Sequence, residues 1–309
     1  MRLDAPFDVR APVDTASVRG TARAVNAMLA PSFEDWDAAF VDQAFDHVGE
    51  AYAGRLPGLL ACDTPYHDLR HALETALATA RLVDGWELDF AGSERSLGAP
   101  LAMATVVLAL MHDIGFLRRE DERHLAGAAL TAAHEARAAE YAQRYLAATR
   151  LHACAPLARL IDATRIGTRI ESLGGGEKHL LAARMLATAD LVSQLADRHY
   201  LEKCRDFLYL EFVEAGLARG ADGRNPAAPY ESPEDLLRRT PGFYRKHVLA
   251  RLDGELGGVH RLFTRHFGGP DPYREAIARN MNYLERVLDR GDFGLLRRTP
   301  HSLSGEGGT

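Results

Sequence analysis

Leu101-Ala-Met-Ala-Thr-Val-Val-Leu-Ala-Leu-Met111, followed at once by His112-Asp113-Ile114-Gly115, is the stretch on which the reading of this chain turns. It is apolar all the way round a helical wheel, so it predicts a helix buried on every side. Ionisable groups at the buried end of such a helix demand partners, because an unpaired buried carboxylate is costly. A metal ion is one partner that satisfies both His112 and Asp113. The dipeptide alone says little, since His67-Asp68 is a second copy in the same chain. Its position at the end of a core helix is the informative part. The apolar run, Ala99 to Met111, falls well short of the roughly 20 residues of a membrane helix and carries Pro100 near its start, so it reads as a core helix with no membrane role.

Outward from this run, segments of helical periodicity are separated by short Gly/Pro/Asp punctuation, and no apolar/polar alternation argues for a strand. The expectation is an all-α chain. Candidate helices cover 34–53, 67–84, 98–113, 124–148, 155–166, 178–215, 232–267 and 272–290, with breaks near Arg198 and Gly254. Residues Gly216 to Pro233 hold three glycines and three prolines, which marks a long surface loop. The expected organisation is an N-terminal arm (1–33), a helical core (34–215), a loop and C-terminal helical extension packed on it (216–298), and a Ser/Gly-rich disordered tail (299–309).

With 309 residues, 47% of them hydrophobic, the chain can bury a full core. Cys62, Cys154 and Cys204 are odd in number and form no CxxC pair, which fits a reducing compartment and excludes a zinc ribbon or disulfide framework. The N-terminus has charges and prolines in place of an apolar signal region, so the expected location is cytoplasmic. A formal net charge of -6 gives no global field for a nucleic-acid polymer. A small phosphorylated substrate stays open, because a few arginines and a metal suffice to bind it.

Two further pieces carry chemistry. Tyr66-His67-Asp68-Leu69-Arg70-His71 follows Pro65 and opens an amphipathic stretch; if helical, it stacks His67 and His71 on one face, a spacing that chance can also produce. Lys178 to Asp197 reads as a helix with Leu181, Met185, Thr188, Val192 and Leu195 on one stripe and Ala183, Ala187, Asp190, Gln194 and Asp197 on another. Small residues before an inward carboxylate leave room for an ion. A solvated polar face suits Asp197 better than Asp190, whose neighbours are mostly apolar.

The ordered set His71, His112-Asp113 and Asp190 resembles the HD superfamily over roughly residues 60–200. The resemblance implies an HD-type helical core in which those four side chains bind one or two divalent metals, Mn, Fe, Co, Zn or Mg, with Asp113 the bridge and a catalytic participant if there are two. Tyr66-His67-x-x-x-His71-Ala72 is also similar to the histidine motif of class I cyclic-nucleotide phosphodiesterases, a branch of that superfamily, which implies that His67 is the general acid. Asp68 departs from that branch's usual asparagine, and no glutamine-plus-aromatic purine clamp is evident. His134-Glu135 resembles the helix that supplies a second-metal ligand, with a core histidine as the alternative, while Asp162-Ala163-Thr164 stands where a further histidine is often found.

The function these readings imply is metal-dependent hydrolysis of a small phosphoester, a nucleotide or cyclic nucleotide, through metal-activated water. Arg70, Arg118, Arg119 and Gln194 are candidate substrate contacts, with solvated surface charge the competing reading for the arginines. Two other functions remain open: a di-iron oxygenase, and a non-catalytic sensor of a nucleotide or protein. A homodimer is compatible with the C-terminal extension.

Overall fold

The computed structural model describes residues 13–303. Helix α4 (Ala99–Met111) begins after Gly98, whose φ of 76° turns the chain into Pro100 in the first helical turn. Every residue from Leu101 to Met111 is buried. Its neighbours are α2 (Ala38–Tyr52), α3 (Leu69–Phe90), α6 (Glu177–Ala196) and a twelve-residue 3-10 segment, His152–Ala163. A uniformly apolar helix has no face to give to water, so the others are arranged around it. The 18-residue stretch Ala99–Phe116 is apolar enough to cross a membrane by length and composition, yet 94% of it is buried inside this fold.

The fold is all-α; among the described residues there is no strand, only isolated bridges pairing Leu59 with Arg119 and Ala218 with Tyr230. The expected breaks occur: α6 ends at Ala196, and helix resumes as α7 (Tyr200–Lys203), a π turn, and α8 (Tyr209–Glu214). Likewise α9 (Pro233–Phe243) runs through a second π turn into α10 (Leu249–Asp253) and stops at Gly254.

Several expectations shift. A helix unread in the sequence, α1 (Val18–Leu29), is capped by Ser17, whose hydroxyl accepts from Gly20 N at 3.0 Å. It buries Thr21, Ala22, Val25 and Leu29 against α2 and α3. The helix expected over 124–148 starts only at His134 (α5, His134–Ala147). Its first ten residues form turns and a short 3-10 segment, because Gly127 N is drawn to Asp63 Oδ1 at 3.1 Å. The one over 155–166 is 3-10, with Pro156 inside it. Part of the tail expected to be disordered is docked: Ser302 Oγ and Leu303 N donate to Asp68 Oδ2 at 3.1 and 2.5 Å. Residues 304–309 of that tail, and 1–12 of the arm, lie outside the described residues.

The C-terminal helices α11 (Leu262–Phe267) and α12 (Pro272–Arg290) pack on α3 and α6 respectively. Contact between α3 and α11 needs Gly85, since a Cβ there would lie 2.3 Å from the Leu262 carbonyl oxygen. Arg81, 2% exposed, donates to the Tyr273 hydroxyl at 2.6 Å beneath the Phe267 ring. A buried guanidinium so engaged ties the extension to the core.

Candidate metal centre

Three helix termini and one helix interior meet at one point. Asp68 caps α3, accepting from His71 N at 3.0 Å, which places His71 in the first turn. His112 ends α4 and its Nδ1 lies 2.8 Å from the Ala109 carbonyl, so Nδ1–H donates there and Nε2 turns inward. The next residues bend sharply against α5. Gly115 makes this possible, because a Cβ would sit 1.9 Å from the His134 carbonyl oxygen. Arg137 fastens the turn by donating to the carbonyls of Gly115 and Leu117.

The two imidazoles face each other, Nε2 to Nε2, at 3.2 Å. Asp190 Oδ1 is 3.1 Å from His71 Nε2 and 3.5 Å from that of His112, while Asp113 Oδ2 is 3.4 and 3.1 Å from the same atoms. All four residues are buried. Burial alone would raise the Asp113 carboxyl, but His112 beside it holds it well below the usual carboxylate range. Asp190 is likewise held low by His112 and His71 against burial. Conversely, burial favours neutral His112, and Asp113 and Asp190 outweigh it.

This donor set fits a divalent cation. Two imidazole nitrogens and two ionised carboxylates converge, with no thiolate, a set suited to borderline and hard ions. Asp113 Oδ2 is buried and accepts no hydrogen bond of acceptable geometry, an orphan that a cation satisfies. His71, His112 and Asp190 offer ligand atoms all within 4.8 Å of one another. His134 repeats the arrangement of His112: its Nδ1 is 2.7 Å from the Thr131 carbonyl, and its Nε2 lies 3.6 Å from Asp113 Oδ1. Asp113 therefore stands between the first cluster and His134.

Above the cluster is a cavity of about 470 Å³. Asp113 and Asp190 line it, with His71 and His112 behind them. His67, Phe116 and His134 form one wall as a stack, with ring centroids 4.6 and 4.3 Å apart and planes within 19°. His67 Nδ1 is 2.6 Å from Glu211 Oε2, and Glu211 Oε1 accepts from the backbone nitrogens of Tyr66 and His67. Burial would lower the His67 pKa, but the Glu211 carboxylate outweighs it and raises the group to about 9. Nε2 is then the nitrogen left to the cavity. Half-exposed Arg165 and Arg239 also line the cavity, amid apolar Leu191, Leu208, Phe212 and Phe243.

The three candidate arginines fall elsewhere. Arg118 is held by Asp63 at 3.1 Å and by the Leu125 carbonyl, and it does not line the cavity. Arg119 caps a 3-10 turn through Glu122 and faces Glu140, on another surface. Arg70 is buried in the first turn of α3, also off the cavity. Gln194 does line it, but its amide is engaged: Nε2 donates to Asp190 Oδ1 at 3.0 Å and Oε1 accepts from the Tyr66 hydroxyl at 2.9 Å. It orients Asp190. Sequence reasoning missed Glu211, 144 residues from its partner, along with Phe116, Arg165 and Arg239. Phe116 was within reach as the apolar residue after His112-Asp113-Ile114-Gly115; nothing local marks Glu211.

A family model described as Npun_R2479-like matches residues 42–260, and the chain belongs to that family. No match appears among curated proteins. Among solved structures, the chain is similar to the phosphodiesterase domain of the RhoPDE fusion protein from the choanoflagellate Salpingoeca rosetta. Identity is 14%, over 93% of this chain and 95% of that one, with a TM-score of 0.49.

Proposed function

We propose that this member of the Npun_R2479-like family is a metal-dependent phosphohydrolase of the HD type, cleaving a phosphoester bond in a small phosphorylated molecule. The observation that carries the reading is convergence: His71, His112, Asp113 and Asp190 meet beneath a cavity whose wall holds a histidine charged by a buried glutamate. His71, His112, Asp113 and Asp190 would hold a divalent metal, and Asp113 with His134 could hold a second, which when bound would supply Lewis acidity and an activated water at neutral pH. His67, protonated through Glu211, donates its Nε2 proton to the departing alkoxide, a contribution of roughly 100- to 10,000-fold. Glu211 is the positioning residue that keeps that proton available. Gln194 and Tyr66 hold Asp190 in the direction its role requires.

The cavity suits a small molecule in size and not a polymer. Arg165 and Arg239 line the cavity in place of Arg118 and Arg119 and are the cations within reach of a phosphate there, although Glu135 and Asp235 already pair with them, and Phe212, Tyr230 and Phe243 offer aromatic surface to a nucleobase. A nucleotide or cyclic nucleotide fits both. Metal analysis of the purified chain, followed by hydrolysis assays on cyclic dinucleotides, cyclic mononucleotides, nucleoside phosphates and a chromogenic phosphodiester, tests the reading. The expected result is one or two divalent ions per chain and turnover that chelation abolishes. Metal-free protein after incubation with each candidate ion, or iron with oxygen consumption, would overturn it.

A further inference from the structure

A second cavity lies apart from the metal centre. It is a groove of about 910 Å³ between α6, α12 and the segment reaching Arg298. On α12 the groove takes Asn282 and, at helical spacing, Tyr273, Ala276, Arg279, Asn280, Tyr283 and Arg286. On α6 it takes Ser193, Ala196 and the following Asp197, a different face from that presented to the metal centre by Asp190 and Gln194.

Four arginines line it: Arg198, Arg279, Arg286 and Arg298. On other faces some exposed arginines, such as Arg55, Arg144, Arg224 and Arg245, meet a carboxylate at hydrogen-bond distance, while others, such as Arg238 against the Phe293 ring, do not. Among the described residues, the guanidinium groups of Arg286 and Arg298 meet no carboxylate, although the Arg298 backbone N–H donates to Glu202 Oε1 at 3.4 Å, and Arg279 reaches Glu275 only at 3.9 Å. The groove's own acids do not neutralise them. Asp197 is paired with Lys203, and Glu74 accepts from Thr15 Oγ1 at 3.1 Å. Glu74 is moreover raised to about 7, burial being the largest cause.

The guanidinium groups are also partly preordered. Arg286 lies 5.4 Å from the centre of the Tyr283 ring, whose hydroxyl is fixed on the Leu295 carbonyl at 2.6 Å. Arg298 Nη1 donates to the Arg198 carbonyl at 2.5 Å. Positions 279 and 286 are two helical turns apart, about 10 Å along the axis. That separation matches an elongated polyanion better than a single phosphate.

We propose that this groove is a second ligand site, separate from the metal centre, for a small molecule carrying two or more linked phosphate groups. Guanidinium groups bind phosphate through charge-assisted, often bidentate hydrogen bonds, and those already held in place lose less freedom on doing so. The site stands on its own geometry and does not depend on the phosphohydrolase reading.

The test is calorimetric titration of the full chain, dialysed against chelator, with sodium tripolyphosphate, ATP and orthophosphate. Saturable binding of tripolyphosphate or ATP at one per chain is expected, with orthophosphate at least about tenfold weaker. The tighter of the first two identifies an inorganic or a nucleotide ligand. Arg279→Ala with Arg286→Ala should weaken binding about tenfold or more, the corresponding pair of lysine substitutions less, and Arg245→Ala not at all. All three exchange exposed side chains, so circular dichroism should show an intact fold. His112→Ala should leave the affinity unchanged, since it alters only the metal centre. No saturable binding, equal affinity in wild type and the double alanine variant, or loss of binding in His112→Ala would each overturn the proposal.

Discussion

Asp190 and Asp197 stand two turns apart at the end of α6, both largely buried and both held far below the usual carboxylate range against burial. Their environments differ in one respect. Asp197 has a covalently supplied cation, Lys203, itself buried and raised by Asp197 against the cost of burial. Asp190 faces two imidazoles and lies close to Asp113, whose Oδ2 accepts no hydrogen bond. A carboxylate completed within the chain is a structural pair. One grouped with a second carboxylate and two histidines could hold an ion from outside.

That contrast can be broken at either end. His112→Ala or Asp190→Ala should empty the centre, with bound metal falling by more than the roughly 100-fold that loss of an outer partner costs, and activity going with it. Elemental analysis beside a turnover assay checks this. His67→Ala should separate the two readouts: full metal content, with turnover lower by about 100- to 10,000-fold. Metal loss as deep as in His112→Ala would remove His67 from the role of acid.

On the structural side, Lys203→Met should cost about 3–5 kcal/mol in urea unfolding, because it strands the Asp197 charge. Asp197 is depressed and Lys203 raised, so in the wild type this stability is complete between about pH 4 and 10. It is lost as pH falls through the folded Asp197 pKa or rises through that of Lys203. Glu211→Gln should act more gently. His67 must be protonated, so activity declines as pH rises; without the glutamate, burial draws its pKa down and the alkaline limb of the pH profile moves to lower pH. The smallest effect belongs to Arg118→Ala, for which the Michaelis constant should not change while thermal stability drops slightly, since Arg118 holds Asp63 and Leu125.

Much of this centre was legible from local pattern. The apolar run Leu101–Met111 ending in His112-Asp113 could be only a buried helix with ionisable groups at its end, and that signal spans thirteen residues. Asp190 was separable from Asp197 by its apolar neighbours. Yet Asp197, where a solvated face suited better, is only 12% exposed in its side chain and pairs with buried Lys203, six residues on, because α6 breaks and α7 turns back. The arginines misled for the same reason. Arg118 and Arg119 follow the site in sequence, but the turn at Gly115 carries them to another surface, whereas Arg165 and Arg239 arrive from distant segments.

By itself, then, the sequence determined the helical class, the buried central helix and the residue types that end it, since periodicity and the cost of burying charge act over one or two turns. Only the tertiary structure decided which distant groups complete the site. Pairing Glu211 with His67, stacking Phe116 between two histidines and gathering Arg279, Arg286 and Arg298 along one groove depend on helix packing. His67 and Glu211, 144 residues apart, leave no periodic trace of the contact they will make.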